Sequence, residues 1–506
     1  MFIRQKQNKS GSTSIHIVSK ASGKYKVIKA IGSSSSEEGV SVLLHQAKYE
    51  LSGLLAQPSL FKSDEDSVIQ GFLETISNGN VQVIGPELVF GKIYDHIGFN
   101  AIKEDLFRHL VIARLAFPLS KLKTIDYLFR FQALQINIST VYRFLDKLQQ
   151  NYKQQVEQIN FQHTLKLLNN KISVVFYDMT TLYFEASDED DLRKAGFSKD
   201  GKHSNPQIFL GLLVTVGGNA IGYDMFEGNI FEGHTLIPFL EKMSTRFNIG
   251  KPIVVADAGL LSKANLEALQ ERQYQYIIGA RLKTESSSIK KQIQRAVLKD
   301  GQIMSIKKQA NKLIVAHSNG RAKKDAHNRK RGLQRLEKQL RKGRLTKAQI
   351  NNKGYNKYLA MEGEISVTID YNKYNQDAQW DGLKGYITNC QLPNKEIIEN
   401  YGHLWQIEAA FRMSKTDLRI RPIYHRIADR IEAHICISFV AYAIYKELER
   451  ILKNEKSSLS LKEAAEQTQN MYQLSVILPE SKRKQKCLLK MTPKQNELIK
   501  IIAKYF

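Results

Sequence analysis

Cysteine and tryptophan are scarce in this chain of 506 residues, which has three cysteines and two tryptophans. Cys390, Cys436 and Cys487 lie far apart, and none has the CxxC spacing of a redox or zinc motif. The cysteine pattern therefore indicates neither a disulfide framework nor a zinc site.

Long apolar runs are also missing. A membrane helix needs about 18 consecutive apolar residues, and the nearest approach, ICISFVAYAIY at residues 435–445, is too short. The N-terminal sequence MFIRQKQNKSGSTS has no apolar core of a secretory signal. We therefore expect a cytoplasmic protein without a membrane partner.

Several catalytic motifs are absent from the sequence. There is no GxxxxGK[ST], no GxSxG and no HExxH, and no two of the twelve histidines are four residues apart. These absences argue against a P-loop ATPase, a serine hydrolase of the α/β type and a zinc protease. A metal-free tyrosine recombinase would need His-x-x-Arg, but Gln406 follows His403 and Ala428 follows His425 at that spacing.

Acidic residues are few relative to basic ones. Fifty Asp and Glu residues stand against 75 Lys and Arg residues, which gives a net charge of +25 and a pI near 9.6. A hydrophobic content of 42% suits a folded globular protein. The charge excess favours a polyanionic partner, and we expect nucleic acid.

The N-terminal third divides into a strand-rich and a helical region. Residues 1–95 contain β-branched or alternating runs such as SIHIVSK, YKVIKAIG and VQVIGPELVFG. Residues 96–160 contain KTIDYLFRFQALQINISTVYRFLDKLQQ, which predicts helix, turn and helix with Ser139 and Thr140 as caps. This pair could enter a DNA groove with Tyr142, Arg143 and Lys147 outward, and an ordinary αα-hairpin is the alternative.

The remaining chain predicts an α/β domain with a basic insertion. Strands and helices alternate in residues 161–283, which is typical of an α/β layer with a mixed sheet. Residues 284–384 read as a basic insertion domain, because residues 321 to 347 hold twelve Lys or Arg against two acids. Residues 385–450 are expected to form the second part of the α/β core. They begin within the predicted strand WDGLKGYIT, become helical after residue 390 and include the helix of Glu408. Residues 451–506 are expected to form a helical basic C-terminal region. The basic segment would hold phosphates, or it is a solvated face.

Three acidic residues carry the candidate chemistry. Asp178 and Asp257 each end a predicted strand, where α/β folds place their sites. Glu408 lies in YGHLWQIEAAFRMSK (401–415), on a helix face that is otherwise mostly apolar. Alone, each Asp could cap a helix, and Glu408 could pair with Arg412 at i,i+4. Together, three carboxylates at one sheet edge predict a site for two Mg²⁺ or Mn²⁺ ions and phosphodiester chemistry.

These motifs resemble those of the DDE transposases of bacterial insertion sequences. One branch of that family has the signature Tyr-x2-Arg-x3-Glu-x6-Lys, and Tyr401, Glu408 and Lys415 match its spacing. Further similarity lies in VVFYDMTTLYFE, GFSKDGKHSNPQIFLGLLV, FEGNIFEGHTL and VVADAGLLSKANL. The resemblance covers most of the chain, from about GPELVFGKIYDHIG (85–98) to about residue 450. Leu404 stands where the signature has Arg.

The resemblance implies a fold and a reaction. The fold would be an RNase H-like core, a mixed five-stranded sheet with helices, interrupted by an insertion between Asp257 and Glu408. Asp178, Asp257 and Glu408 would bind two Mg²⁺ ions, with Mn²⁺ as a substitute. Water would free a 3′-OH at the transposon end, and this hydroxyl would attack the target DNA. The implied route is cut-and-paste transposition, often through a DNA hairpin.

The resemblance also assigns binding roles. Tyr401 and Lys415 would contact phosphate near the cleaved end, with Arg412 as a substitute for the missing Arg. Lys199 and Lys202 would lie over the DNA, or belong to a simple solvated loop. Trp380 would stack on a flipped base, or anchor the insertion to the core. The partners would be transposon-end repeats and target DNA, bound by a homodimer associated with the bacterial nucleoid.

Two alternatives remain open from the sequence. One is a metal-dependent nuclease of the same fold that cuts DNA without joining it. The other is a decayed transposase that only binds DNA, against which the retention of all three acids argues.

Overall fold

A computed structural model describes residues 1–8, 10–20, 23–55, 64–186, 188–196, 204–351, 354–362, 366–478 and 481–506. The chain divides into two compact units. The smaller unit consists of Met1–Ser77 with Ile477–Lys484, and the larger one of Asn78–Val476 with Gln485–Phe506.

The smaller unit is built on an antiparallel three-stranded sheet. Its strands are β1 (Phe2–Gln7), β2 (Thr13–Ser19) and β3 (Lys26–Ser34), in the order β1-β2-β3. Helix α1 (Glu37–Leu55) contacts all three strands, and α2 (Asp64–Glu74) follows it. The predicted strands are present, whereas the two helices lack a clear apolar period and were not predicted.

The larger unit contains the remaining elements. Its helices up to the sheet are α3 (Lys92–Ile97), α4 (Asp105–Ala116), α5 (Lys121–Gln132), α6 (Ile138–Lys147) and α7 (Lys153–Leu167). Its later helices are α8 (Leu236–Phe247), α9 (Lys263–Glu271), α10 (Ser287–Arg295), α11 (Asn319–Arg341), α12 (Tyr371–Asp377), α13 (Asn394–Gly402), α14 (Trp405–Arg412), α15 (Ala428–Asn454), α16 (Leu461–Thr468) and α17 (Pro493–Tyr505).

The strands after β3 follow the same numbering. They are β4 (Val81–Val83), β5 (Val174–Tyr183), β6 (Gln207–Thr215), β7 (Ala220–Glu227), β8 (Ile253–Ala256), β9 (Tyr276–Ala280), β10 (Ile303–Lys308), β11 (Asn311–His317), β12 (Leu359–Glu362), β13 (Ser366–Ile369), β14 (Leu383–Thr388), β15 (Tyr472–Ile477) and β16 (Lys484–Leu488).

An eight-stranded mixed sheet is the centre of the larger unit, in the order β10-β11-β14-β9-β8-β5-β6-β7. Strands β5, β6 and β7 form an antiparallel meander, and β8 and β9 continue parallel to β5. These five strands form the RNase H-like core that the resemblance implied. Strands β10 and β11 of the basic insertion, with β14, extend the same sheet beyond β9.

The two faces of the sheet have separate apolar cores. Phe176 of β5 and Val255 of β8 belong to the core that also contains the apolar side of α15. Tyr177 and Ala256, the next residues along each strand, belong to the core formed with α8. This alternation is the period of two that a strand imposes, and it fixes the face on which every strand residue lies.

Helix α15 organises the first of these cores. Eighteen of its 27 residues are buried, and it contacts α3, α4, α6, α7 and β7. This burial explains the apolar run ICISFVAYAIY that the sequence shows within it. Among the described helices, none combines the length and apolar character needed to cross a bilayer.

Three local predictions differ from the structure. Glu87–Gly91, predicted as strand, forms a π-helical turn before α3. Asn137, rather than Ser139 or Thr140, caps α6, and its side chain accepts a hydrogen bond from the Ser139 N–H. Residues Lys484–Leu488, in the C-terminal region predicted to be helical, form strand β16.

Candidate functional site

The two aspartates lie beside each other on adjacent parallel strands. Tyr177 of β5 pairs with Ala256 of β8, so Asp178 and Asp257 follow at the same level. Asp178 alternates with Tyr177 and therefore lies on the face that contains Phe176 and α15. Both aspartates are half-buried.

The sequence predicted that Asp178 ends its strand, and this prediction is wrong. Strand β5 continues to Tyr183, because the residues after Asp178 pair with β6 as far as Gln207. Asp257 does directly follow β8, whose last residue is Ala256. The two aspartates therefore lie side by side where β8 ends, and at that point Asp178 is in the middle of the longer strand β5.

Each aspartate has one oxygen in a local hydrogen bond. Oδ1 of Asp178 accepts from the Met179 N–H at 2.7 Å. Oδ1 of Asp257 accepts from the Gly259 N–H at 2.8 Å, in the turn after β8. These bonds orient the two carboxylates on the sheet.

Glu408 lies on α14, which contacts β5 and β6. The predicted apolar face splits in two: Leu404, Ile407 and Phe411 are buried, whereas Trp405 and Glu408 are exposed. The expectation that Glu408 shares a largely buried face is therefore wrong. Helix α14 buries its apolar side in the core of Phe176 and Val255, which is the core on the face of Asp178.

Tyr401, in the last turn of α13, is close enough to Asp257 and Glu408 for both charges to act on its hydroxyl. Burial and the charges of Asp257 and Glu408 raise the pKa of Tyr401. Its hydroxyl lies over Gly279 of β9, where an added methyl group would be 2.6 Å from that oxygen. Tyr401 therefore lies against β9, next to the turn that follows β8.

Two basic residues that the sequence did not mark as site candidates, Lys384 and Arg321, lie next to Tyr401. The Lys384 ammonium nitrogen lies 4.3 Å from the centre of the Tyr401 ring. Burial and the charge of Arg321 lower the pKa of Lys384, and the charge of Glu408 opposes this. Lys384 comes from β14 and Arg321 from α11, so only the fold brings them to Tyr401. No local pattern marked Lys384, and Arg321 was one of twelve basic residues.

Trp380 lines a cavity of about 240 Å³ together with these residues. The cavity also includes Arg321, Lys384 and Tyr401. Trp380 is half-buried and packs against the small apolar core of Leu282 and Leu313 on the insertion side. Its position is compatible with both roles suggested for it, an anchor and a stacking surface.

The residues around the signature differ in exposure. Leu404, at the signature's Arg position, is 9% exposed and belongs to the core. Arg412 is exposed. Burial raises the pKa of Asp417, and the charge of Arg412 opposes this only in part. Lys415 is half-buried and lies in the π-helical turn Met413–Asp417 that extends α14. This wider turn rotates Lys415 relative to the position that a regular helix would give it.

Other predicted binding residues lie away from this place or outside the description. Lys199 and Lys202 lie outside the described residues. Arg143 and Lys147 of α6 are exposed, and Lys147 forms an ion pair with Glu104 at 2.5 Å. Tyr142 is half-buried, with the Arg430 guanidinium 5.1 Å from its ring centre.

The acids of the sheet have the chemistry of a divalent-metal site. Carboxylate oxygens suit Mg²⁺ and Mn²⁺, and the adjacent aspartates offer two such groups. Among the described residues, however, no three His, Cys, Asp or Glu side chains lie close enough to hold one ion. The two aspartates supply carboxylate oxygens of the kind that a divalent ion prefers. Glu408 lies on the helix packed against the same face of the sheet, without forming a three-acid cluster with them among the described residues.

The sheet and these acids define an α/β protein with an RNase H-like core. The sequence matches the family model described as "Transposase DDE domain" over residues 169–444, more than half of the chain. The chain belongs to this family, whose members in general use divalent metal ions. A search of curated protein sequences found no match.

Solved structures of transposases share a distant likeness with the chain. A cryo-EM structure of the piggyBac transposase synaptic complex with hairpin DNA is 9% identical, with 72% of this chain and 69% of that chain covered and a TM-score of 0.38. The Mos1 transposase paired-end complex with the left transposon end is 12% identical, with 34% and 57% covered and a TM-score of 0.16. The Mos1 mariner paired-end complex with Mn is 10% identical, with 47% and 77% covered and a TM-score of 0.15. These likenesses are too distant to carry a conclusion.

Proposed function

We propose that the protein is a cut-and-paste DNA transposase that cleaves transposon ends and joins them to target DNA. The observation that carries this proposal is the common level of Asp178 and Asp257 on one face of the sheet, with α14 packed against that face. Membership of the DDE transposase family and the net charge of +25 support it. The partners would be both transposon ends and target DNA, held by a homodimer.

Asp178 and Asp257 are proposed to hold two Mg²⁺ ions with Glu408, and Mn²⁺ would substitute. The bound ions would activate an attacking oxygen and stabilise a leaving one. Because Glu408 is exposed on α14, DNA binding is proposed to bring it to the aspartate pair.

Tyr401, Lys384 and Arg321 are proposed to hold the phosphate next to the cleaved bond. Leu404 is buried and cannot do so. A phosphate beside Lys384 would stabilise its charged form, which burial otherwise disfavours. Lys384 would thereby replace the signature's Arg, with Arg412 and Lys415 as outer contacts. Lys199 and Lys202 remain proposed contacts to DNA.

Trp380 is proposed to stack on a base that leaves the duplex at the cleaved end. The support is its place in one cavity with Tyr401 and Lys384. Stacking of this kind contributes about 1–3 kcal/mol for each base. It would favour a hairpin route of excision.

The first test is cleavage of a labelled duplex copied from the ends of the DNA element that encodes the protein. Wild type is compared with Asp178→Asn, Asp257→Asn and Glu408→Gln in Mg²⁺, Mn²⁺ or EDTA. Loss of a carboxylate at a metal site costs several kcal/mol, so we expect a rate on the order of 10³-fold lower. Glu399→Gln is the matched control, because Glu399 is an exposed acid on neighbouring α13.

The outcomes separate the alternatives. Cutting that persists in EDTA or in all three variants would contradict the metal mechanism. Cutting without joined products, when supercoiled plasmid is added as the target, would identify the nuclease. Wild type that binds the duplex but never cuts it would identify a protein that only binds DNA.

A further inference from the structure

A second basic cavity lies away from the acids, between the helical region and the loop after α14. Its volume is about 500 Å³. Six of its lining residues carry a basic side chain: Arg114, Lys121, Arg419, Arg421, His425 and His434. No Asp or Glu is among the described residues that line it.

Lys121 is the central group of this cavity. The residue is only 6% exposed. Within the described part of the chain, no hydrogen bond or ion pair to its ammonium group is present. Burial and the nearby charge of Arg114 lower the pKa of Lys121 well below its ordinary value. A buried ammonium group without a counter-ion is costly, so this arrangement is suited to a bound anion.

Two further basic groups of this cavity, Arg114 and His434, contact backbone carbonyls. The Arg114 guanidinium, 5% exposed, donates long hydrogen bonds of 3.4 Å to the carbonyls of Leu418 and Arg419. Nε2 of His434 lies 2.9 Å from the Ile420 carbonyl oxygen, whereas its buried Nδ1 has no partner among the described residues. Two buried polar groups therefore accompany Lys121 without a carboxylate.

The backbone contributes to the same cavity. Ser120, Lys121 and Leu122, at the start of the 12-residue helix α5, line it. A helix N-terminus presents free N–H groups and a partial positive charge, which favours anions. Asp146, whose charge acts on His425 of this cavity, is itself paired with Arg430 at 2.8 and 2.9 Å.

We propose that this cavity is a phosphate-binding site, separate from the acids of the sheet. The ligand is a phosphate group held by Lys121 and Arg114 at the start of α5. Two sources have this chemistry, a backbone phosphate of bound DNA and a free phosphate or small phosphorylated molecule. The proposal does not depend on DNA cleavage.

The test uses the full chain and inorganic phosphate as the probe. Binding is followed by titration calorimetry and by the melting temperature, at constant ionic strength. Wild type should bind phosphate saturably and gain thermal stability, and Lys121→Met should lose both responses. Lys121→Met should also melt at or above the wild-type temperature without phosphate, because it removes an unpaired buried charge, and this confirms that it folds.

Lys123→Met is the matched control. Lys123 is two residues further along the same helix, its side chain is 68% exposed, and it does not line the cavity. This variant should bind phosphate as wild type does. Equal phosphate binding by wild type and Lys121→Met, or no saturable binding by wild type, overturns the proposal.

A second arm identifies the source of the phosphate. If it belongs to DNA, inorganic phosphate competes with duplex DNA, and Lys121→Met weakens DNA binding with a salt slope shallower by about 0.9. If it is a free phosphate, Lys121→Met loses phosphate binding while its affinity for DNA is unchanged. Failure of the cleavage experiment would leave both results intact, so the two proposals can fail separately.

Discussion

At the scale of single residues, burial decides which side chains can contact DNA. Leu404 and Tyr401 both belong to the core, yet the Tyr401 ring also borders the cavity of Lys384 and Trp380. Under the proposed function, a residue at a signature position holds phosphate only if its side chain reaches that cavity. Leu404 is not among the described residues that line this cavity.

Leu404→Arg, which restores the signature, is expected to destabilise the protein rather than activate it. The guanidinium would enter the apolar core, and burying a charge without a partner costs about 3 kcal/mol or more. Urea unfolding measures the change, with Leu404→Met as the volume-conserving control. A stable Leu404→Arg variant that cleaves faster would show that position 404 reaches DNA after all.

At the scale of elements, the basic helix α11 makes two different kinds of contact along its length. Its first turn, capped by Ser318, directs Arg321 to the cavity of Tyr401. Further along, Arg329 forms an ion pair with Asp381, and its guanidinium lies 5.3 Å from the Tyr374 ring centre. Most of its other basic residues are exposed. Arg329 therefore attaches α11 to the segment of Trp380, while most of its other basic side chains extend into solvent.

Arg329→Met is expected to loosen the attachment of Trp380. Asp381, which directly follows Trp380, would lose a charged hydrogen bond in a mostly buried place, at a cost of about 2 kcal/mol. Tryptophan fluorescence in a Trp405→Phe background reports the change, since the chain has two tryptophans. Lys330→Met, at the adjacent exposed residue, should leave the spectrum unchanged. An unchanged spectrum in Arg329→Met as well would contradict this anchoring role.

At the scale of the larger unit, a buried acid on α15 joins helices that the sequence separates widely. Glu447 is 1% exposed and accepts hydrogen bonds from Arg450 at 2.5 and 2.8 Å. Nε2 of His163 on α7 lies 3.5 Å from its carboxylate. Burial acts to raise the pKa of Glu447, but the bonds from Arg450 and the contact with His163 outweigh it and lower the pKa to about 2.

The pH dependence of stability follows from this shift. The folded pKa is below the ordinary value of 4.5, so the ionised acid stabilises the fold above pH 4.5 and this contribution is lost as the pH falls toward 2. We expect Glu447→Gln to be less stable than wild type at pH 7 by at most about 3 kcal/mol, with a difference that shrinks in acid. Urea unfolding from pH 7 to pH 3 measures it. A difference independent of pH would refute the assignment to the Glu447 charge.

Much of the core could be read from the sequence because its signals are local. Apolar runs such as KISVVFYD and PIVVAD predict strands, and β5 and β8 are present there. The strands β6, β7 and β9 and helices α8 and α9 also follow local patterns. The acids could be singled out for the same reason, since each lies next to an apolar run.

The remaining features depend on contacts between distant segments. The level of Asp178 along β5 is set by pairing with β6 and β8, which no run of residues reveals. The approach of Lys384 and Arg321 to Tyr401, and the burial of Lys121 without a counter-ion, likewise arise from packing. Composition and local period therefore determined the α/β core, the basic character and the candidate acids. The tertiary structure decided which basic groups lie near those acids, because the neighbours of a side chain depend on how strands and helices pack together.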